Sequence, residues 1–297
     1  MGIIHVIIEG APKKSQHLFW DALNKHVYAN KLHICAVDGF KNIQKCFDAL
    51  NWDKRNDIVL LICDNPANNP YLRDAVPRLA MHIRSFDNVY LIKERCFEDT
   101  FLCFKYLESW LYSEDVWSTV TNGTRLSDRL EYRALSAYRR NPNKWYASRL
   151  IKQLLAKYSI TFKEGKDGFI QCVALPSGGT GIRHITQETV AAYILMSVTK
   201  NSCAFYISKS DYGDCWRCSC IDVNCCPRLL HSKGDKHIES AFRYNLKCGL
   251  HANSTKWDSR TKLIFFLRHS DLGAQLIAVQ DSLTKNGYST ADLLCPW

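Results

Sequence analysis

No apolar run in this 297-residue sequence approaches the roughly 20 residues needed to cross a bilayer. The longest, 58–63 and 263–267, have the length of buried strands. The N-terminus has no basic segment, extended apolar segment or small-residue cleavage pattern, and its short apolar run stops at Glu9. A cytoplasmic protein without membrane contact is therefore expected. Internal repeats and long low-complexity tracts are missing as well, which sets aside repeat arrays and disordered or fibrous chains. GxxxxGK[ST] does not occur, so no ATPase site is read. The deaminase pattern of His-x-Glu followed by Pro-Cys-x-x-Cys is absent, and nothing marks a Cys–His pair of the cysteine-protease kind.

What is present is globular in composition: 46% of residues are hydrophobic and 23% charged, enough for one large domain or two ordinary ones. Lys and Arg number 39 against 29 Asp and Glu, a formal net charge of +10 that favours an anionic partner. DNA or RNA is the leading candidate for that partner. The competing reading is a basic enzyme whose charge has no partner.

Short branched runs alternate with amphipathic segments through the first third of the chain. Strands are expected at 3–8, 32–37, 58–63 and 89–92, and helices at 15–27, 42–50, 71–83 (interrupted by Pro77) and 96–111. That order is the pattern of an α/β fold with a mostly parallel sheet covered on both faces. A boundary near 118–127, where Thr, Asn, Gly and Ser accumulate, separates a 1–118 domain from a basic, cysteine-rich 119–297 domain. The second domain reads as mixed α/β or α+β. It has a helical stretch over 130–158 broken at Asn141-Pro142, a helix at 187–197, strands at 203–207 and 262–267, and helices near 237–246 and 274–286.

Ligands of open α/β sheets sit beyond the carboxyl ends of the strands. Glu9, Asp38 and Asp64 follow three successive strands there, and Glu98 with Asp99 opens the helix after the fourth. Taken singly, an acid at a strand end faces solvent or caps a helix. Gathered together, such hard oxygen donors suit Mg²⁺ or Mn²⁺, which can polarise a phosphodiester and activate water.

Ile7-Ile8-Glu9-Gly10 resembles the opening of a Toprim domain, the catalytic module of topoisomerases, bacterial primases and OLD-family nucleases. The similarity is closer still to Toprim-like effector nucleases of anti-phage defence systems. It extends through Asp38-Gly39-Phe40-Lys41-Asn42, Ile62-Cys63-Asp64 and Arg95-Cys96-Phe97-Glu98-Asp99, about the first 110 residues. The resemblance implies a Toprim-like domain that cleaves phosphodiester bonds with a bound Mg²⁺ or Mn²⁺. Glu9 would act as general base or metal ligand, Asp64 as principal ligand and Glu98 as support. Lys41 would meet a phosphate, and Asp38 would compensate as a further carboxylate. Asp99 would cap its helix. An activating ATPase or another defence-system component, and a homodimer, are partners of the kind the resemblance suggests. The family places a second Asp two positions after the first. Pro66 stands there, and Asn65 and Asn68 offer only neutral ligands.

Fourteen cysteines remain. Cys35, Cys63, Cys96, Cys103, Cys172 and Cys203 lie in apolar or mixed segments and read as small hydrophobes. Five others, Cys215, Cys218, Cys220, Cys225 and Cys226, fall within twelve residues. Cys215 and Cys218 form a CxxC pair, and Cys248 with His251 a CxxH pair. Together these four make a Cys₃His set for a structural Zn²⁺. Cys220, Cys225, Cys226, His231 and His237 supply competing ligand sets.

Arg133, Arg139, Arg140, Lys144, Arg149, Lys152 and Lys157 are interleaved with Tyr132, Tyr138, Trp145 and Tyr146. Cations along one helical stretch can follow a phosphate backbone while an aromatic stacks on a base. The ordinary alternative is a solvated helix face. Pro176-Ser177-Gly178-Gly179-Thr180-Gly181, with Arg183 and His184 nearby, is either a tight connection or a cradle of backbone N–H groups for phosphate. The leading expectation is a metal-dependent nuclease. Its rivals are a non-catalytic nucleic-acid-binding or regulatory protein with a degenerate site, and a zinc-stabilised RNA-binding module.

Overall fold

The computed structural model describes residues 2–64, 70–107, 120–121, 124–125, 128–158, 160–165, 170–174, 185, 187–207 and 259–297. Pro66, the 176–184 loop and the whole 208–258 cysteine-rich segment lie outside these residues, as do the expected helix near 237–246 and all proposed zinc ligands. By its contacts the chain forms two units. One comprises Met1–Pro66, Pro70–Thr100 and Lys256–Trp297; the other comprises Ala67–Asn69 and Phe101–Thr255.

The first unit is built on four strands, β1 (Ile4–Ile8), β2 (Leu32–Ala36), β3 (Ile58–Asp64) and β4 (Val89–Glu94). All are parallel, in the order β2-β1-β3-β4. The central strands β1 and β3 are buried almost end to end, which is why IHVII and IVLLIC show no polar alternation. Against one face pack α2 (Lys41–Ala49) and α3 (Pro70–Ile83). Ile43 and Phe47 meet Leu72, Val76, Leu79 and Ile83 over Ile7, Val59 and Leu61. Pro77 lies inside α3 without ending it. Burial of the apolar side chains around it, each contributing about 1.5–3 kcal/mol, outweighs the lost backbone donor.

α1 (Ser15–His26) carries the buried side chains Phe19, Trp20 and Leu23. The Phe19 ring lies 5.7 Å from that of Phe97, on α4 (Phe97–Leu102), and 5.6 Å from that of Phe266. Phe266 belongs to the C-terminal pair of helices, Ser259–His269 and Asp271–Lys285, which therefore returns to the N-terminal sheet. Gln275 of the second helix fastens this return. Its amide accepts from the Lys93 N–H and donates to the Lys93 carbonyl, both at 3.2 Å. Backbone groups on the edge strand β4 are thereby taken by a side chain of the same unit.

In the second unit, short strands β5 (Val120–Thr121) and β6 (Thr124–Arg125) pair antiparallel, as do β7 (Thr161–Glu164) and β8 (Ile170–Ala174). The helices are α5 (Leu130–Arg140), α6 (Arg149–Ala156) and α7 (Gln187–Ile207). The C-terminal pair is accordingly α8 and α9. As the sequence leads one to expect, the helical stretch breaks at Asn141-Pro142, and a 3-10 segment, Pro142–Ala147, joins α5 to α6. Ser148 caps α6 by accepting the Ile151 N–H.

Three local expectations are corrected. Residues 203–207 continue α7, and 262–267 lie within α8, so both expected strands are helical. Their branched and aromatic residues read as strand because a short apolar run looks alike in either state. The expected helix over 96–111 is interrupted: α4 ends at Leu102 and residues 103–106 are turn or irregular, while 108–111 lie outside the described residues. No helix among the described residues is long and apolar enough to cross a membrane.

Candidate functional site

Parallel pairing carries the carboxyl ends of all four strands to one edge of the sheet. Glu9 prolongs β1, its N–H donating to the Ile62 carbonyl at 3.1 Å. Asp64 is the last residue of β3, and its N–H donates to Oε2 of Glu9 at 2.9 Å. Two of the expected site residues are thus joined directly. Oδ1 of Asp64 and Oε2 of Glu98 are each shielded from solvent.

A further acid, unmarked in the sequence, completes this edge. Strand β4 runs two residues beyond its expected end and finishes on Glu94, the register partner of Asp64. Glu94 is buried, and burial pushes its carboxyl up to about 7. That net value already includes the downward pull of bonds with Thr100 and Gln16 and the upward push of the Asp99 charge. Gln16, in the first turn of α1, ties the group together. Its Oε1 accepts the Gly10 N–H at 2.7 Å and its Nε2 approaches Oε2 of Glu94 at 3.5 Å. A Cβ on Gly10 would stand 2.8 Å from that Oε1 and 2.9 Å from the Gln16 Cβ, so glycine after Glu9 is what admits the glutamine.

Two thiols register how the acids are grouped. Cys63 is raised well above the ordinary thiol range by burial first, then by Glu9, Asp64 and Glu94. Cys96 is raised by burial, then by Glu98, Asp64 and Asp99. Asp64 acts on both. Asp99, expected as a helix cap, lies in the first turn of α4 and accepts from Arg95 at 2.8 Å.

Asp38 and Lys41 sit apart from this group in character. Both are exposed, Asp38 with a left-handed φ of 54° followed by Gly39 at 104°, and Lys41 as the first residue of α2. Asn42 braces their turn by donating to the carbonyls of Val37 and Asp38, each at 3.0 Å. Among the described residues, no group of three or more His, Cys, Asp or Glu side chains is placed to hold a metal ion. The donors on the edge are nonetheless all hard oxygens, the type that Mg²⁺ and Mn²⁺ take.

On the basic stretch, Arg133, Arg140, Lys144, Arg149 and Lys152 are exposed. Arg139 is engaged internally, its guanidinium donating to the carbonyls of Leu102 and Phe104. Lys157 pairs with Glu131 at 3.0 Å. Tyr132, Tyr138 and Trp145 are buried and belong to the core, so the aromatics that could stack on a base reduce to the half-buried Tyr146. Sequence reading missed Glu94 because Lys93-Glu94 breaks the apolar run. It missed Gln16 because no local pattern marks a glutamine that bridges two loops.

The fold is thus a mixed α/β architecture whose parallel sheet is flanked by helices. No family model matches the chain, and no curated protein or solved structure matches it either.

Proposed function

We propose that the carboxyl edge of the sheet is a divalent-metal-dependent phosphodiesterase site, and that the protein is a nuclease acting on DNA or RNA. The observation that carries this reading is the Asp64 N–H bond to Glu9, which locks acids from two adjacent strands at the place where α/β sheets bind ligands. Glu9 and Asp64 would hold Mg²⁺ or Mn²⁺, with Glu98 as support once these side chains, which do not converge on one point in the structure, turn toward the ion. When bound, the ion supplies Lewis-acid activation of a phosphate and of water. Glu94, poised near neutrality, would hold or release a proton beside it. Gln16 keeps Glu94 and the Glu9-Gly10 turn in register. Lys41 and the exposed Arg133, Arg140, Lys144 and Lys152 offer cations for a nucleic-acid backbone. A role as a toxic effector in anti-phage defence, with an activating partner, and a Cys215, Cys218, Cys248 and His251 zinc site complete the proposal on sequence grounds.

A second reading, a nucleic-acid-binding or regulatory protein without catalysis, is favoured by Pro66, which removes one expected acid. Incubating purified protein with plasmid, single-stranded DNA, transfer RNA and total RNA in Mg²⁺, Mn²⁺ or EDTA separates the two. The nuclease reading expects metal-dependent cleavage that Glu9→Gln and Asp64→Asn abolish. Binding without cleavage in every condition supports the second reading.

A further inference from the structure

Near the opposite end of the same sheet, a different set of side chains meets. His5 on β1 and His33 on β2 are register partners. Their Nδ1 atoms are 2.9 Å apart, and the rings stand edge to face at 84°. His5 is only 4% exposed, whereas His33 is open to solvent. Behind His5 lies Asp57, immediately before β3, with Oδ2 at 3.2 Å from His5 Nε2. This carboxylate is held by two further donors, the N–H of Ile3 at 2.7 Å and the N–H of Asp53 at 2.8 Å.

Counting protons fixes the arrangement. Asp57 accepts from every side, so His5 presents N–H at Nε2 and a lone pair at Nδ1. Two nitrogens 2.9 Å apart cannot both offer lone pairs, so the gap is filled by a proton, carried on His33, or by a cation. Two zinc–imidazole bonds of about 2.0–2.1 Å at a tetrahedral angle span about 3.3 Å between nitrogens. The exposed His33 needs to move only a few tenths of an ångström to reach that separation. A carboxylate behind the buried imidazole is the arrangement that fixes a metal-binding tautomer and raises its basicity.

We propose that His5 and His33 form a two-imidazole site for a borderline divalent transition ion such as Zn²⁺, with Asp57 orienting His5 and solvent filling the remaining positions. The ion replaces the His33 Nδ1 proton, which passes through solvent to His33 Nε2, so both imidazoles stay neutral. With only two protein ligands the ion exchanges readily. The site is independent of the carboxylate edge and of the nuclease reading.

The test adds zinc sulfate to the full-length, ¹⁵N-labelled protein as purified and follows histidine ring nitrogens by long-range ¹H–¹⁵N correlation. Nδ1 of His5 and Nδ1 of His33 are expected to shift together in one titration step. The calorimetric count of added zinc is expected to fall by one in His33→Ala, whose side chain is exposed. Unmoved ring signals at saturating zinc would overturn the proposal. So would a shift in only one of the two rings, or an equal zinc count in wild type and variant. The ring signals of the wild type decide the matter even if the variant does not fold.

Discussion

The backbone N–H of Asp64 and the carboxylate of Glu9 are joined by a 2.9 Å hydrogen bond that ties the end of β3 to the residue following β1. Glutamine at position 9 keeps an oxygen that can accept this bond, and alanine does not. Glu9→Gln is therefore expected to leave stability within about 1 kcal/mol of wild type, while Glu9→Ala costs about 1–3 kcal/mol by orphaning the Asp64 N–H. Both variants are expected to lose metal-dependent cleavage. Urea unfolding and the nuclease assay, run on the same preparations, check the two halves of this prediction.

Glu94 gives the sheet unit a pH-dependent stability. Its carboxyl is raised from 4.5 to about 7 in the fold, so between those values the native state holds more protons than the unfolded chain. Stability is full below about pH 4.5 and declines as pH rises through 7, by on the order of 3 kcal/mol. Glu94→Gln removes that decline, raising the midpoint of thermal unfolding at pH 8 with little change at pH 5. Equal effects of the substitution at both values would contradict a buried, protonated Glu94.

Asp57 and His5 act in the opposite direction. Burial lowers the His5 pKa from 6.5 more than Asp57 raises it, so His5 is neutral when folded and takes up a proton on unfolding in mild acid. For Asp57, burial pushes the pKa up, but bonds from Ile3, Asp53 and His5 outweigh it, and the net value lies below 3.8. Stability is thus expected to fall as pH drops below about 6.5, and again as it drops through the carboxylate range. Asp57→Ala, which strips the acceptor from two backbone N–H groups and a buried imidazole, is expected to cost about 3 kcal/mol at pH 7. Denaturant midpoints across pH 3–8 for wild type and Asp57→Ala measure both trends.

Gly273, in the first turn of α9, lies against the last turn of α8. A Cβ there would fall 1.6 Å from the Leu267 carbonyl oxygen, which is backbone and cannot swing aside. Gly273→Ala is expected to destabilise by about 3 kcal/mol or more, since the two helices must separate. Gly10→Ala meets only the Gln16 side chain and is expected to cost less, at the expense of the Gly10–Gln16 bond. Thermal unfolding of the two variants ranks them.

The N-terminal sheet was legible because β1 and β3 are branched apolar runs, interrupted only by His5 and closed by Asp64, and separated by segments with helical spacing, as in Ile43, Cys46, Phe47 and Leu50. Glu9 and Asp64 could be placed at one edge from that pattern alone. Glu94 could not, because the polar pair Lys93-Glu94 reads as loop until pairing with Cys63 and Asp64 extends the strand. The run Lys262 to Leu267 read as a strand for the complementary reason: it is apolar enough for either state, and only tertiary packing makes it helix. His5, His33 and Asp57 are too far apart in sequence for any local signal to unite them.

The split composition of the sheet unit sets an order of events during synthesis. Phe19 and Trp20 emerge early, yet Phe266, which packs on Phe19, follows only after residues 101–255 have been made. At about 5–20 residues per second the sheet waits on the order of 8–30 s with that side of α1 uncovered. A chain interrupted in the middle unit leaves an unfinished scaffold beneath its acids. Full support for the carboxylate edge arrives with the closing helices, so a nascent fragment is a poor vehicle for any chemistry the finished edge performs.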